Sequence, residues 1–212
     1  ELEIQDPQDK NQFNNALERK INIKSKFNNY VIIGSSFNYD GKYLDHAFSQ
    51  KEDTECFQLV QYQDKWVSAS NVSEIMDKQW NLVILNGFPS KLTNHRQLQA
   101  IKAKISSDTP VIALVNSNFD REAFEQLIGK RVISRISTAQ KPRSTQVMGN
   151  RKLQNHPLSL YFERTAGSQW WQNLPPVSFT FSEFALSEDF SGIIQTMDNN
   201  EHSVVALSKN RL

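Results

Sequence analysis

Apolar residues along the chain fall into short, β-rich runs separated by amphipathic stretches, and this alternation predicts βα units feeding a parallel sheet. The first run is residues 30–35 (YVIIGS), read as a buried strand. A turn carrying Gly41 leads to Tyr43, Leu44, Ala47 and Phe48, whose spacing of three and four predicts one apolar helix face. Residues 57–62 (FQLVQY) give the second strand. Ser70 and Asn71 are cap residues for a short helix with Val72, Ile75 and Met76 inward, and residues 82–85 (LVIL) give the third strand.

Residues 94–107 combine good helix formers with Leu98, Ile101 and Ile105 at helical spacing, so a helix is expected there against one sheet face. Residues 111–115 (VIALV) form a fully apolar fourth strand. Asp120 opens a further helix with Phe124, Leu127 and Ile128 inward, and Gly129 is placed to end it in a left-handed conformation.

Past residue 130 the pattern changes. RVISRIS reads as a short strand, whereas residues 139–153 are polar, basic and weakly periodic, and read as a loop or hairpin. Residues 162–176, with Trp170, Trp171 and a Pro-Pro pair, read as an irregular crossing segment packed by aromatics. Three more strands are expected: VSFTFSEFAL from Val177, GIIQTM from Gly192 and SVVALS from Ser203. Asp198, Asn199 and Asn200 mark a hairpin between the last two. The domain reading is an N-terminal extension or linker over residues 1–20 and one α/β domain over 21–212.

Charge narrows the partners. With 24 Lys+Arg against 23 Asp+Glu, the formal net charge is +1, which argues against an electrostatic grip on nucleic acid or an anionic membrane. One cysteine, Cys56, excludes an intramolecular disulfide and a Cys-cluster metal site. No apolar run reaches the roughly 18 residues that span a bilayer, and ELEIQDPQDK is not a signal peptide. The chain begins at Glu1 and closes on KNRL, which reads as a segment of a longer protein, so membrane attachment is expected only through segments outside it.

The order of elements then carries a resemblance. A strand ending in GSS, then LVILNGFP, PVIALVNSN, NHPL and a Pro-rich aromatic segment before terminal hairpin strands together resemble the class I glutamine amidotransferase-like domains of membrane-anchored bacterial proteins. Those domains accompany von Willebrand factor A modules in the aerotolerance (Bat-type) group, chiefly in Bacteroidetes. The resemblance covers about residues 21–207 and implies a three-layer, flavodoxin-like parallel sheet with C-terminal β-hairpin additions. It also implies a periplasmic location, tethered to the cytoplasmic membrane, with protein partners in the cell envelope. A class I amidotransferase carries a nucleophilic Cys in a Gly-rich elbow; here the turn after VIALV reads Asn116, Ser117, Asn118. Cys56 lies at the start of a strand rather than after one, so a small buried structural residue is expected. The expectation is therefore a non-catalytic interaction or scaffolding domain, needing no cofactor.

The alternative is a small-molecule binder or hydrolase at the C-terminal strand ends, where open α/β sheets bind ligands, with Gly34, Ser35, Ser36, Gly87, Asn116 and Ser117 as candidates. A serine nucleophile needs a positioned histidine. Of His46, His95, His156 and His202, only His156 combines a loop placement with a return to the sheet edge, and a structural His-Pro corner is the simpler reading. Asp40, Asp45 and His46 are neighbours in sequence, but a solvated helix start explains them better than a metal, and no metal site is expected. GSSFNYDG lacks the spacing of a phosphate loop. Trp170, Trp171, Phe179, Phe181 and Phe184 read as core packing, and Lys130, Arg131, Arg135, Lys141, Arg143, Arg151 and Lys152 as a solvated loop surface.

Overall fold

The computed structural model describes residues 28–116, 118–150, 175–197 and 203–208. Within them the chain is a mixed α/β structure with four helices and a mostly parallel central sheet. Strands β1 (Asn28–Gly34), β2 (Thr54–Tyr62), β4 (Leu82–Asn86) and β5 (Val111–Leu114) run parallel in the spatial order β2-β1-β4-β5. The three-residue β3 (Lys65–Val67) folds back antiparallel on the outer edge of β2. Helices α1 (Tyr39–Ser49), α2 (Val72–Asp77), α3 (His95–Lys104) and α4 (Arg121–Ile128) fill the connections.

Covering both sheet faces explains why β1 and β4 are continuous apolar runs rather than alternating ones. On one face Val31, Ile33, Leu59, Val83 and Leu85 meet Ile75, Leu98, Ile101, Phe124 and Leu127 from α2, α3 and α4. Ile32 and Ile84 are equally buried but point the other way, toward the face on which α1 lies. Each such side chain stabilises the fold by roughly 1.5–3 kcal/mol relative to exposure. Tyr30 and Phe48 close the far end of α1 against the sheet in an edge-to-face contact at 5.4 Å.

Helix boundaries follow from local chemistry. Asn38, Asn71, Asn94 and Asp120 each cap a helix by accepting a backbone N–H, and Asn94 forms a reciprocal capping box with Gln97. Gly129 ends α4 at φ 69°. Helix α3 stops at Lys104 with Ile105 as its cap, short of the expected residue 107. The inward face of α1 also differs from expectation. Gly41 is buried and Leu44 and Phe48 half-buried, while Tyr43 is 73% exposed and Ala47 is exposed. The cause is Gly41: lacking a side chain, it lets the helix approach the sheet so closely that a Cβ there would stand 2.5 Å from Gln58 Nε2.

Beyond residue 130 the loop reading is corrected. Strand β6 (Ile133–Thr145) continues through the polar segment, pairing antiparallel with β8 (Val177–Leu186) despite a register break between Thr138 and Arg143. Strand β7 (Val147–Gly149) then joins a second sheet, in the order β10-β9-β7, with β9 (Phe190–Thr196) and β10 (Ser203–Ser208). A two-stranded ribbon does not require an apolar face along its whole length, and the irregular register removes the period-two signal. The antiparallel β9–β10 pair matches the expected terminal strands. The aromatic segment with Trp170 and Trp171, and the hairpin residues 198–200, lie outside the described residues.

Candidate functional site

The order in which strands are added to the sheet reverses between β1 and β4. The connection from β1 runs through α1 to β2 on one side, whereas β4 runs through α3 to β5 on the other. The loops therefore part at the C-terminal ends of β1 and β4, the position at which open α/β sheets form a ligand crevice. Five of the sequence-derived candidates lie there. Ser35 N–H donates to the Asn86 carbonyl at 3.3 Å, Gly87 N–H donates to the Leu114 carbonyl at 2.9 Å, and Gly34 pairs with Asn86 in register. Ser36 follows on the exposed side, its carbonyl 3.1 Å from where a Cβ on Gly34 would sit. Asn116 lies directly over Gly87, where a Cβ would fall 2.1 Å from Asn116 Nδ2. Gly87 is at φ 63°, so both its backbone and the amide above it require glycine. Ser117 lies outside the described residues.

Two residues central to the crevice were not anticipated. Asn86 closes β4 with only 3% of its surface exposed, and its Nδ2 donates to Asn38 Oδ1 at 2.8 Å. The same Oδ1 accepts the Gly41 N–H at 2.8 Å, as the cap of α1. Because Asn38 presents its oxygen to a backbone donor, the atom of Asn86 facing it must be the amide nitrogen. A readable signal existed: Asn86 is a polar residue ending the apolar run LVIL, where an unpaired amide would be costly.

The crevice walls are fixed by hydrogen bonds. The loops after β4 and β5 form a short antiparallel bridge, with Asp120 N–H donating to the Pro89 carbonyl at 2.9 Å and Lys91 N–H to the Asn118 carbonyl at 3.2 Å. On its other side the β4–α3 loop is tied to β2, where Thr93 Oγ1 donates to Gln61 Oε1 at 2.8 Å and Gln61 Nε2 donates to the Leu92 carbonyl at 3.0 Å. The turn after β5 is an Asx-type turn: Asn116 Oδ1 accepts the Asn118 N–H at 3.0 Å, and the Asn116 carbonyl accepts the Phe119 N–H at 3.2 Å. Asn116 and Asn118 are not at positive φ, and Ser117 between them lies outside the described residues.

Chemistry-bearing residues elsewhere do not converge on this crevice. Cys56 is near the start of β2, paired in register with Tyr30 at the opposite end of the sheet. Burial first, and then the neighbouring Asp45 carboxylate, push its thiol up to about 12, so it is neutral at physiological pH. Asp40, Asp45 and His46 diverge: Asp40 is exposed, Asp45 turns toward Cys56, and His46 is exposed with Nε2 2.9 Å from Gln50 Nε2. Among the described residues no three His, Cys, Asp or Glu side chains gather as metal ligands. His95 opens α3, and His156 and His202 lie outside the described residues. Of the basic run, Lys130, Arg131, Arg135 and Arg143 are exposed, the latter two on β6 rather than on a loop.

Surface apolar residues concentrate around the same edge. Phe37 and Tyr39, on either side of Asn38, are 66% and 79% exposed. Tyr43 continues the exposed stripe one turn into α1, and Tyr62, Leu92 and Val115 are exposed at the other strand ends. A separate open recess of about 250 Å³ lies toward the opposite edge, lined by Lys78, Trp80, Lys104 and Thr109 among others. No helix among the described residues is long and apolar enough to cross a membrane. No protein-family model, curated protein or solved structure matches this chain.

Proposed function

We propose that the chain is a non-catalytic interaction domain of a bacterial cell-envelope protein, built on a flavodoxin-like core with the element order of class I glutamine amidotransferases. The parallel order β2-β1-β4-β5, with a reversal between β1 and β4, supports the core assignment. The periplasmic location and the membrane tether rest on the resemblance of GSS, LVILNGFP and PVIALVNSN to the membrane-anchored group.

The observation that carries the interaction reading is the exposed stripe of Phe37, Tyr39 and Tyr43 beside the strand ends. Large aromatics left in water at one edge are costly to retain without a partner, and tyrosine is enriched at protein interfaces because its ring is apolar and its hydroxyl polar. Two features support a non-catalytic role: the turn after β5 reads Asn116, Ser117, Asn118, with neither a cysteine nor glycines, and the neutral Cys56 thiol is at the far end of the sheet. A photo-crosslinking residue at Tyr39 or Tyr43, introduced into the full-length protein in its native host, should give a discrete adduct that Phe37→Ser abolishes. The same residue placed at Lys104 should give none, and adducts from Lys104 alone would overturn the reading.

A second reading, a small-molecule binder at the strand ends, is favoured by one observation. Asn38 and Asn86 are hydrogen-bonded there, Asn116 packs on the adjacent Gly87, and each is held by half of its amide.

A further inference from the structure

We propose that Asn38, Asn86 and Asn116 form the polar half of a binding site for a neutral saccharide, with Phe37 and Tyr39 as its stacking platform. This rests on the second reading of the strand ends and names its ligand class.

Each amide is pinned on one side. Asn38 Oδ1 is committed to Gly41 N–H and Asn86 Nδ2, and Asn116 Oδ1 to Asn118 N–H. What remains is Asn38 Nδ2, Asn86 Oδ1 and Asn116 Nδ2, none of which has a partner among the described residues. Of these, Asn86 is the informative one, because it is 3% exposed and its side-chain Oδ1 accepts no bond from a described residue. Buried polar atoms are paired in native structures as a rule, so an orphaned one at a ligand-binding edge calls for a ligand or an ordered water. The amides cannot rotate to satisfy one another without breaking the cap of α1 or the turn at Asn118.

Two donors and an acceptor, fixed within one crevice, match hydroxyl groups, each of which both donates and accepts. Gly87 lets the Asn116 amide pack directly on its backbone, since a Cβ there would fall 2.1 Å from Asn116 Nδ2. Phe37 and Tyr39 flank Asn38 in the chain and are largely exposed, so that Phe37, and the Tyr39 ring on the side away from Lys42 Nζ, give apolar faces on which the C–H face of a sugar ring can rest. Gly34, Ser35, Asn38, Asn86, Gly87 and Asn116 carry no charge, and the charged groups beside them on α1 are of opposite sign: the exposed Asp40, and Lys42, whose Nζ lies 5.9 Å from the Tyr39 ring centroid.

The test is an NMR titration of the isotopically labelled chain with maltotetraose, with tetra-N-acetylchitotetraose and, separately, with a capped neutral dipeptide amide. At least one oligosaccharide should shift the side-chain amides of Asn38, Asn86 and Asn116 and the backbone of residues 37–39, saturably. Asn116→Ala and Tyr39→Ala, both at exposed positions, should keep the remaining spectrum and weaken binding at least tenfold. Shifts at those positions with the dipeptide alone would overturn the saccharide assignment while leaving the small-molecule reading standing. No shift there with any of the three would overturn both.

Discussion

Asn86 Nδ2 lies 2.8 Å from Asn38 Oδ1, and this bond ties the end of β4 to the cap of α1 at the point where the strand order reverses. Removing the acceptor has two costs. Asn38→Ala loses the helix cap, about 1 kcal/mol, and leaves the Asn86 amide buried without its partner, a further 1–2 kcal/mol or so. Asn38→Asp keeps an oxygen in place and suits the helix N-terminus, so its effect should stay within about 0.5 kcal/mol. Urea unfolding with an unchanged m-value would show a large loss for Ala and almost none for Asp; equal losses would contradict the geometry.

Gly87 and Asn116 test the crevice from the other side. Gly87→Ala places a Cβ 2.1 Å from Asn116 Nδ2 and holds a non-glycine residue at φ 63°. The combined loss should be at least about 2 kcal/mol, with about 1 kcal/mol from the backbone. Adding Asn116→Gly removes the collision but not the strain, so the double variant should regain part of the loss. Full recovery would mean that the backbone is unstrained, and none that the amide does not sit over Gly87.

Cys56 should be a slow nucleophile. A thiol raised to about 12 presents little thiolate at pH 8, so alkylation of the folded chain should run at least about tenfold slower than that of the urea-unfolded chain. The sign for stability follows by linkage. The folded thiol holds its proton to higher pH than the unfolded one, whose ordinary value is near 9, so its contribution is complete below pH 9 and is lost as pH rises toward 12. Cys56→Ala should therefore show a shallower loss of stability between pH 9 and 11 than the parent chain.

Glu125 joins the two halves of the chain. Its Oε1 accepts the N–H groups of Val132 at 2.9 Å and Ile133 at 3.0 Å, anchoring the start of β6 to α4. Glu125→Ala should cost about 1–3 kcal/mol through two unpaired backbone donors, while Glu125→Gln, which keeps an acceptor, should cost less than half as much. Thermal unfolding of both variants separates the acceptor's role from helix propensity, since glutamine and glutamate are near equals in a helix.

The parallel core was readable because its strands are buried on both faces, so that YVIIGS, LVIL and VIALV stand out as apolar runs between helices whose caps are Asn or Asp. What escaped were features set by tertiary approach. The apolar stripe of α1 predicted Tyr43 inside, but the close seat of Gly41 on the sheet turns Tyr43 outward. Strand β3 has three residues and no apolar run, and β6 hides in a polar segment because its pairing comes from β8, some forty residues later. At the crevice, Gly34, Ser35, Ser36, Gly87 and Asn116 followed from the rule that ligands meet strand ends. Asn38 and Asn86 did not, because their meeting joins residues 48 apart in sequence.

The claim that the strand ends bind without catalysing is tested most directly by incubating the purified chain, Cys56→Ala and Ser117→Ala with glutamine and with p-nitrophenyl esters. Release of ammonia or p-nitrophenol should match the buffer blank for all three proteins. Turnover by the parent chain that is lost in either variant would contradict it.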